Sequence, residues 1–332
     1  MQKIAEKKQN VEKTVDNRKI KLSKFKREFF LVLTIIIVGV ILSLLTPYFL
    51  TKGNLSALLI GLSAEGFVAI GIVMVMITGE IDLSVGGIMA LSSVVAGSLI
   101  LSGKNVWVSV LLGFILGSIM GVINGWLIGY RKINSFIITL AMMGMTRGVA
   151  YILTQGSPLA IGGVPQSFES LGGGNLFGLP TFTVVFILLA SISGFGLKKI
   201  KAFREFYFVG SSENSAKLTG LDVPKIKMRA FVLSASLASL AGIFTLSRFL
   251  VATPNTGNGI ELRAIAAAVI GGTSFTGGEG SILGAALGVL IVNLLNNALI
   301  LLNISVYWQN FVNGLLLLSV VLIDNLTQKK SD

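Results

Sequence analysis

Long uncharged apolar runs, separated by short polar or basic stretches, set the pattern of this chain. A helix crossing a hydrocarbon core needs about 20 apolar residues, fewer where neighbouring helices shield it. By that measure the pattern predicts spans over 29–45, 55–78, 83–101, 107–128 and 136–154. After a Gly/Pro/Ser-rich stretch at 155–180 come further spans at 182–197, 230–250, 261–272, 282–302 and 306–323. The expected fold is therefore an all-α polytopic integral membrane protein of about ten helices, with both termini on one side. The spans at 83–101 and 261–272 are rich in small or polar residues and are expected to be broken or re-entrant, which requires cover by protein or water.

A weak internal repeat lays 77–87 over 270–280. Each is a glycine-studded turn with an acidic residue that opens an apolar helix. The same offset lays the first span on the seventh and the fourth on the tenth, which predicts two halves of parallel orientation.

Composition narrows the class. The 332 residues are 53% hydrophobic and 13% charged, about half the charge of a soluble domain. The chain has no histidine and no cysteine, which removes thiolate chemistry and the usual neutral-pH base. The formal net charge of +12 does not point to nucleic acid, because the cations cluster by segment. They gather in 1–27, at Arg131 and Lys132, through 198–229, and at Lys329 and Lys330. This is the pattern in which basic loops stay cytoplasmic. It divides the chain into a basic cytoplasmic tail at 1–28, a transmembrane domain at 29–324 and a cytoplasmic C-terminal tail at 325–332. Within the membrane domain, 198–229 is a cytoplasmic polar insert long enough for a short helix. A docking element for another protein is the expectation there.

Candidate chemistry follows from polar groups inside apolar runs. Glu65 lies near the middle of the second span and Arg147 within the fifth. An unpaired charge at such depth costs ~2.5–3.5 kcal/mol. Their similar depth predicts that they pair with each other or face a solute path. Asn293, Asn296 and Asn297 share one helical face, and Asn124 lies in the fourth span. Amides donate and accept, which suits a polyhydroxy solute as well as helix–helix bonding. No G-x-x-x-x-G-K-[ST] motif occurs, so any ATP-driven step requires nucleotide on another subunit.

Four segments carry a family resemblance. Residues Ile77 to Gly86 are similar to I-T-G-G-I-D-L-S-V-G. Phe136 to Met143, with Arg147, Gly148 and the run from Thr154 to Pro158, resembles F-I-A-T-L, R-G and T-x-G-x-P. Ala264 to Ser274 resembles A-I-A-A-V-V-I-G-G-T-S, and Leu295-Asn296-Asn297 matches L-N-N. These patterns are those of permeases of bacterial ATP-binding-cassette importers for ribose and related monosaccharides. The resemblance implies a permease working in a pair, as a homodimer or close heterodimer. Two cytoplasmic ATPase subunits would carry the ATP-Mg, with no cofactor on this chain, and an extracytoplasmic binding protein would deliver the sugar. Within the insert, Gly210 to Leu221 is similar to G-G-N-E-A-A-x-x-x-G-I. Glu213 and Gly220 match, while Ser211, Ser212, Asn214 and Ser215 depart. Glu213, Asn214, Lys217 and Gly220 are thereby the expected ATPase contacts. Arg263 departs where the ribose-like pattern is acidic.

The expected function is import of a monosaccharide, ribose foremost. A nucleoside or another furanose is the alternative solute, an ion-coupled carrier using Glu65 the alternative class, and a membrane enzyme lacks a nucleophile–base pair. Lipid is the expected surroundings.

Overall fold

A computed structural model describes residues 27–328. The predicted tail at 1–28, apart from Arg27 and Glu28, lies outside the described residues, as do 329–332.

The chain is all-α and polytopic. Among the described residues seven helices are long and apolar enough to cross a membrane. They are α1 (Arg27–Leu45), α2 (Lys52–Ile77), α4 (Val106–Gly129), α5 (Ser135–Thr154), α7 (Thr181–Lys199), α10 (Val223–Phe249) and α12 (Ile282–Leu301). Between them stand α3 (Val85–Leu101), α6 (Gln166–Gly173), α8 (Lys201–Ser211), α9 (Glu213–Leu218) and α11 (Ile260–Ile270), and α13 (Val306–Gln328) follows. Two-residue strands β1 (Leu159–Ala160) and β4 (Val251–Ala252) pair antiparallel, as do β2 (Asn175–Leu176) and β3 (Leu179–Pro180).

Burial sorts the helices. In α2 and α10 61% and 72% of the apolar window is buried, against 6% in α1, so α2 and α10 form the core and α1 the rim. Phe67, Phe182, Phe231 and Ile72 are fully enclosed, while Ile36, Leu44, Ile152 and Phe195 face outward from the bundle.

Small residues permit this packing. Gly113, Gly117, Gly121, Gly125 and Gly129 recur every four residues along one face of α4. A Cβ on Gly121, Gly125 or Gly129 would lie 2.5–2.6 Å from Ala235, Met228 or Pro224 of α10. Backbones approach this closely only where side chains are missing.

Helix ends explain the boundaries. Asn105 and Asn134 cap α4 and α5, each accepting backbone N–H groups of the first turn. Asp222 accepts from the Lys225 N–H with Pro224 in the first turn, so α10 begins ahead of the predicted 230.

Neither irregular span is interrupted: each is a single short helix, entered from a non-helical stretch, 78–84 ahead of α3 and 253–259 ahead of α11. The first turns of these two short helices meet inside the bundle. A Cβ on Gly86 would lie 2.5 Å from the Gly257 carbonyl and 2.5 Å from the Glu261 carboxylate. The two glycine turns of the sequence repeat also meet: a Cβ on Gly277 would lie 2.8 Å from the Gly79 Cα. Both turns sit at one end of the bundle. Arg27, the 198–229 insert and Lys227 share that end, here the basic end.

Candidate functional site

A cavity of about 410 Å³ opens between α2, α10 and α11. Gly61 and Glu65 of α2, Thr245 and Arg248 of α10, and Ile260 and Arg263 of α11 line it. Phe182, Phe249 and Met89 add an apolar wall. A mostly apolar chamber with a few convergent polar groups is the usual form of a small-solute site.

The polar centre is an ion pair. Arg263 Nε donates to Glu65 Oε1 at 2.6 Å, and Asn293 Nδ2 donates to Glu65 Oε2 at 2.6 Å. The Glu65 side chain is 12% exposed and that of Arg263 24%, so the pair faces the cavity while being held from behind. A Cβ on Gly61 would lie 2.7 Å from Asn293 Oδ1, so a side chain there would shift the amide that holds Glu65. Arg248 is exposed at the rim, adding a cation beside Phe249.

The predicted pairing of Glu65 with Arg147 is not formed. Arg147 Nη1 donates instead to the Pro254 carbonyl at 2.8 Å, on the stretch leading into α11. Its Nη2 and Glu261 Oε2 are buried without a hydrogen-bond partner, and both border Gly86. The two helix N-termini that meet there present positive ends, which favour the Glu261 carboxylate. The depth argument failed because Arg263 reaches Glu65 from a helix that begins inside the bundle, beyond the non-helical stretch 253–259.

The amides divide. Asn293 touches the cavity through Glu65. Asn297 and Asn54 exchange hydrogen bonds of 2.7 and 3.2 Å between α12 and α2, and Asn313 donates to Asn296 at 3.2 Å. These two bind helices together away from the chamber. Asn124 is buried in a separate network: its Nδ2 donates to Ser84 Oγ at 2.9 Å, and Ser84 Oγ to Asp82 Oδ1 at 2.6 Å. Ser234 Oγ donates to Asp82 Oδ2 at 2.8 Å. This cluster pins the stretch before α3 to α4 and α10.

Of the insert 198–229, residues 201–218 fold as the two-helix hairpin α8–α9 on the basic end, while Lys198 and Lys199 end α7 and 223–229 begin α10. Gly210 lies flush against the Ile77 carbonyl and Gly278, and Tyr207 donates to the Gly280 carbonyl at 2.9 Å. Ser212 caps α9 by accepting from the Ser215 N–H. Glu213 pairs with Lys217 at 2.8 Å, and that hydrogen bond, with help from Lys227, holds the Glu213 carboxyl below its usual range. Asn214 and Lys217 are exposed, and Gly220 turns the chain at φ +80°. Leu218 projects from the same tip, 89% exposed.

Sequence reasoning missed Arg248, Lys227 and Leu218 and noted Arg263 only as a departure. The signal for Arg263 was its place in a short, partly polar helix, the kind of element that lines a chamber.

A family model described as the permease component of the branched-chain amino acid transport system matches residues 54–321. A ribose import permease protein of Escherichia coli strain K12 is 36% identical over 95% of this chain and 99% of its own length. A ribose import permease protein of Bacillus subtilis strain 168 is 40% identical over 90% and 92%. An L-arabinose transporter permease protein of Azospirillum brasilense is 37% identical over 89% and 86%. No solved structure gives a significant match. With a helical bundle around a largely apolar chamber and relatives aligned over nearly their full length, the chain belongs to this permease family of ATP-binding-cassette transporters.

Proposed function

We propose that the chain is the membrane subunit of an ATP-driven importer carrying a monosaccharide, ribose foremost, handed over by an extracytoplasmic binding protein. The observation that carries this reading is the α8–α9 hairpin. It presents Asn214, Lys217 and the exposed Leu218 outward while its inner side rests on the turns that open α3 and α12. A partner ATPase gripping that tip acts directly on the turns that open α3 and α12. The ribose and arabinose permeases among the relatives support the solute class. In the cavity, Glu65 and Arg263 offer acceptors and donors to hydroxyls, while the exposed Phe249 offers a face for the ring.

Cation placement supports the orientation. Arg131, Lys132, Lys198, Lys199, Lys225 and Arg229 lie at or beside the basic end. That end is cytoplasmic, and the chain crosses ten times if α3, α11 and α13 are counted with the seven long spans. One chain offers one hairpin, so two copies or close relatives pair to receive two ATPases. ATP and Mg²⁺ belong to those subunits, and this chain needs no cofactor.

The test is uptake of labelled ribose into vesicles holding the permease, its ATPase and its binding protein. We expect uptake that requires ATP and is blocked by vanadate. The carboxylate of Glu65 in the chamber favours a second reading, an ion-coupled carrier. Uptake that ignores ATP and collapses with an uncoupler would establish it instead.

A further inference from the structure

We propose, on the importer reading, that Lys227 is a positioning residue that carries motion of the α8–α9 hairpin into the stretch opening α3. Lys227 stands near the start of α10, between two carboxylates. Its Nζ lies 2.7 Å from Glu80 Oε1 and 3.0 Å from Glu213 Oε2. Glu213 belongs to the exposed docking tip, and Glu80 to the non-helical stretch 78–84. With Lys217 on Glu213, the cluster holds two cations and two anions.

Burial makes the link firm. The Lys227 side chain is 12% exposed and that of Glu80 16%, against 40% for Glu213. A charge pair shielded from water is weakened little by salt and leaves an uncompensated charge when one member is lost. The inner arm, Lys227–Glu80, is therefore the stiffer of the two.

The link continues inward without a gap. Two residues past Glu80, Asp82 is 1% exposed and accepts from the Ser84 N–H at 2.9 Å, the Ser84 hydroxyl and the Ser234 hydroxyl. Ser84 precedes the first turn of α3, where Gly86 abuts Gly257, just ahead of α11, and Glu261 in the first turn of α11. A displacement at Glu80 thus reaches the junction of the two short helices, beside the Met89 and Gly257 wall of the cavity.

Gly210 against Ile77 is a second contact between hairpin and turn. It is steric, so it transmits a push alone. Lys227 pairs with both sides, so it also transmits a pull. A cycle that must open and reclose the junction needs both directions.

The chain's lack of cysteine supplies the test. Ile81→Cys places a single thiol beside Glu80. The labelled permease is assembled with its ATPase and binding protein in liposomes, and the maleimide reaction rate is read without nucleotide and after ATP–vanadate trapping. With Lys227 present we expect trapping to change the rate several-fold. With Lys227→Gln or Glu80→Gln the two rates should agree within about twofold, the sign of a population no longer biased by nucleotide. Lys227→Arg should restore most of the change. Co-elution of the three subunits checks assembly for each variant. A trapping response in Glu80→Gln equal to that of the parent overturns the relay, as does one in Lys227→Gln. A parent chain that itself ignores trapping contradicts the importer reading instead.

Discussion

Glu65 shows how a single buried charge organises its surroundings. Its two oxygens accept from Arg263 and Asn293, so truncation leaves Arg263 facing a largely apolar chamber without its anion. Glu65→Ala should cost roughly 1–3 kcal/mol, less than for a fully buried pair because the cavity admits water. Glu65→Gln keeps one acceptor oxygen for Arg263 and requires the Asn293 amide to turn its oxygen toward the new NH2 group, so it should cost less than Glu65→Ala. Thermal unfolding in detergent checks the order; equal losses would mean that charge, not hydrogen bonding, holds the site. The sequence made the need for a partner legible but not the partner, because a depth estimate counts residues from the bundle's edge and α11 begins inside the bundle. At the docking tip, Glu213 has a depressed pKa, held mainly by Lys217. Its stabilising contribution is complete above the ordinary carboxylate value of 4.5 and is lost as pH falls through the lower folded value. Binding of the ATPase should accordingly be flat from pH 8 down to 4.5 and weaken only below that, by light scattering or pull-down.

At the scale of elements, the α4–α10 contact was half visible in advance. Glycine abundance announces close packing, and the four-residue recurrence from Gly113 to Gly129 shows which face is bare. Which helix fills that face depends on tertiary neighbours, and the answer is the most buried long helix, α10. Gly121→Leu should force the helices apart and destabilise by about 1–3 kcal/mol or more. Gly144→Leu on α5, where no atom lies within 4 Å of an added Cβ, should be tolerated. Comparing the two in detergent stability checks the assignment; similar losses would contradict it. The non-helical stretches before α3 and α11 were legible as polar, glycine-rich interruptions. Their meeting at Gly86 was not, since no local pattern records that two helix starts face each other across 171 residues of sequence, from Gly86 to Gly257.

At the scale of the whole molecule, helical class, membrane habit and the position of the insert were all readable from apolar run length and cation clustering. Those signals are additive along the chain, whereas the chamber is made by α2, α10 and α11 together and exists in no single segment. The orientation has a direct check in a cysteine-free chain. Leu218→Cys should react with an impermeant maleimide in inside-out vesicles and stay unlabelled in intact cells; the reverse would put the hairpin outside. The central claim is that this permease is a passive gate driven through that hairpin by nucleotide turnover elsewhere. The most direct measurement is labelled-ribose uptake by proteoliposomes containing the permease and binding protein, with and without the ATPase subunit. The account predicts accumulation when ATPase and ATP are both present and none when either is missing, and concentrative uptake by the permease without the ATPase would contradict it.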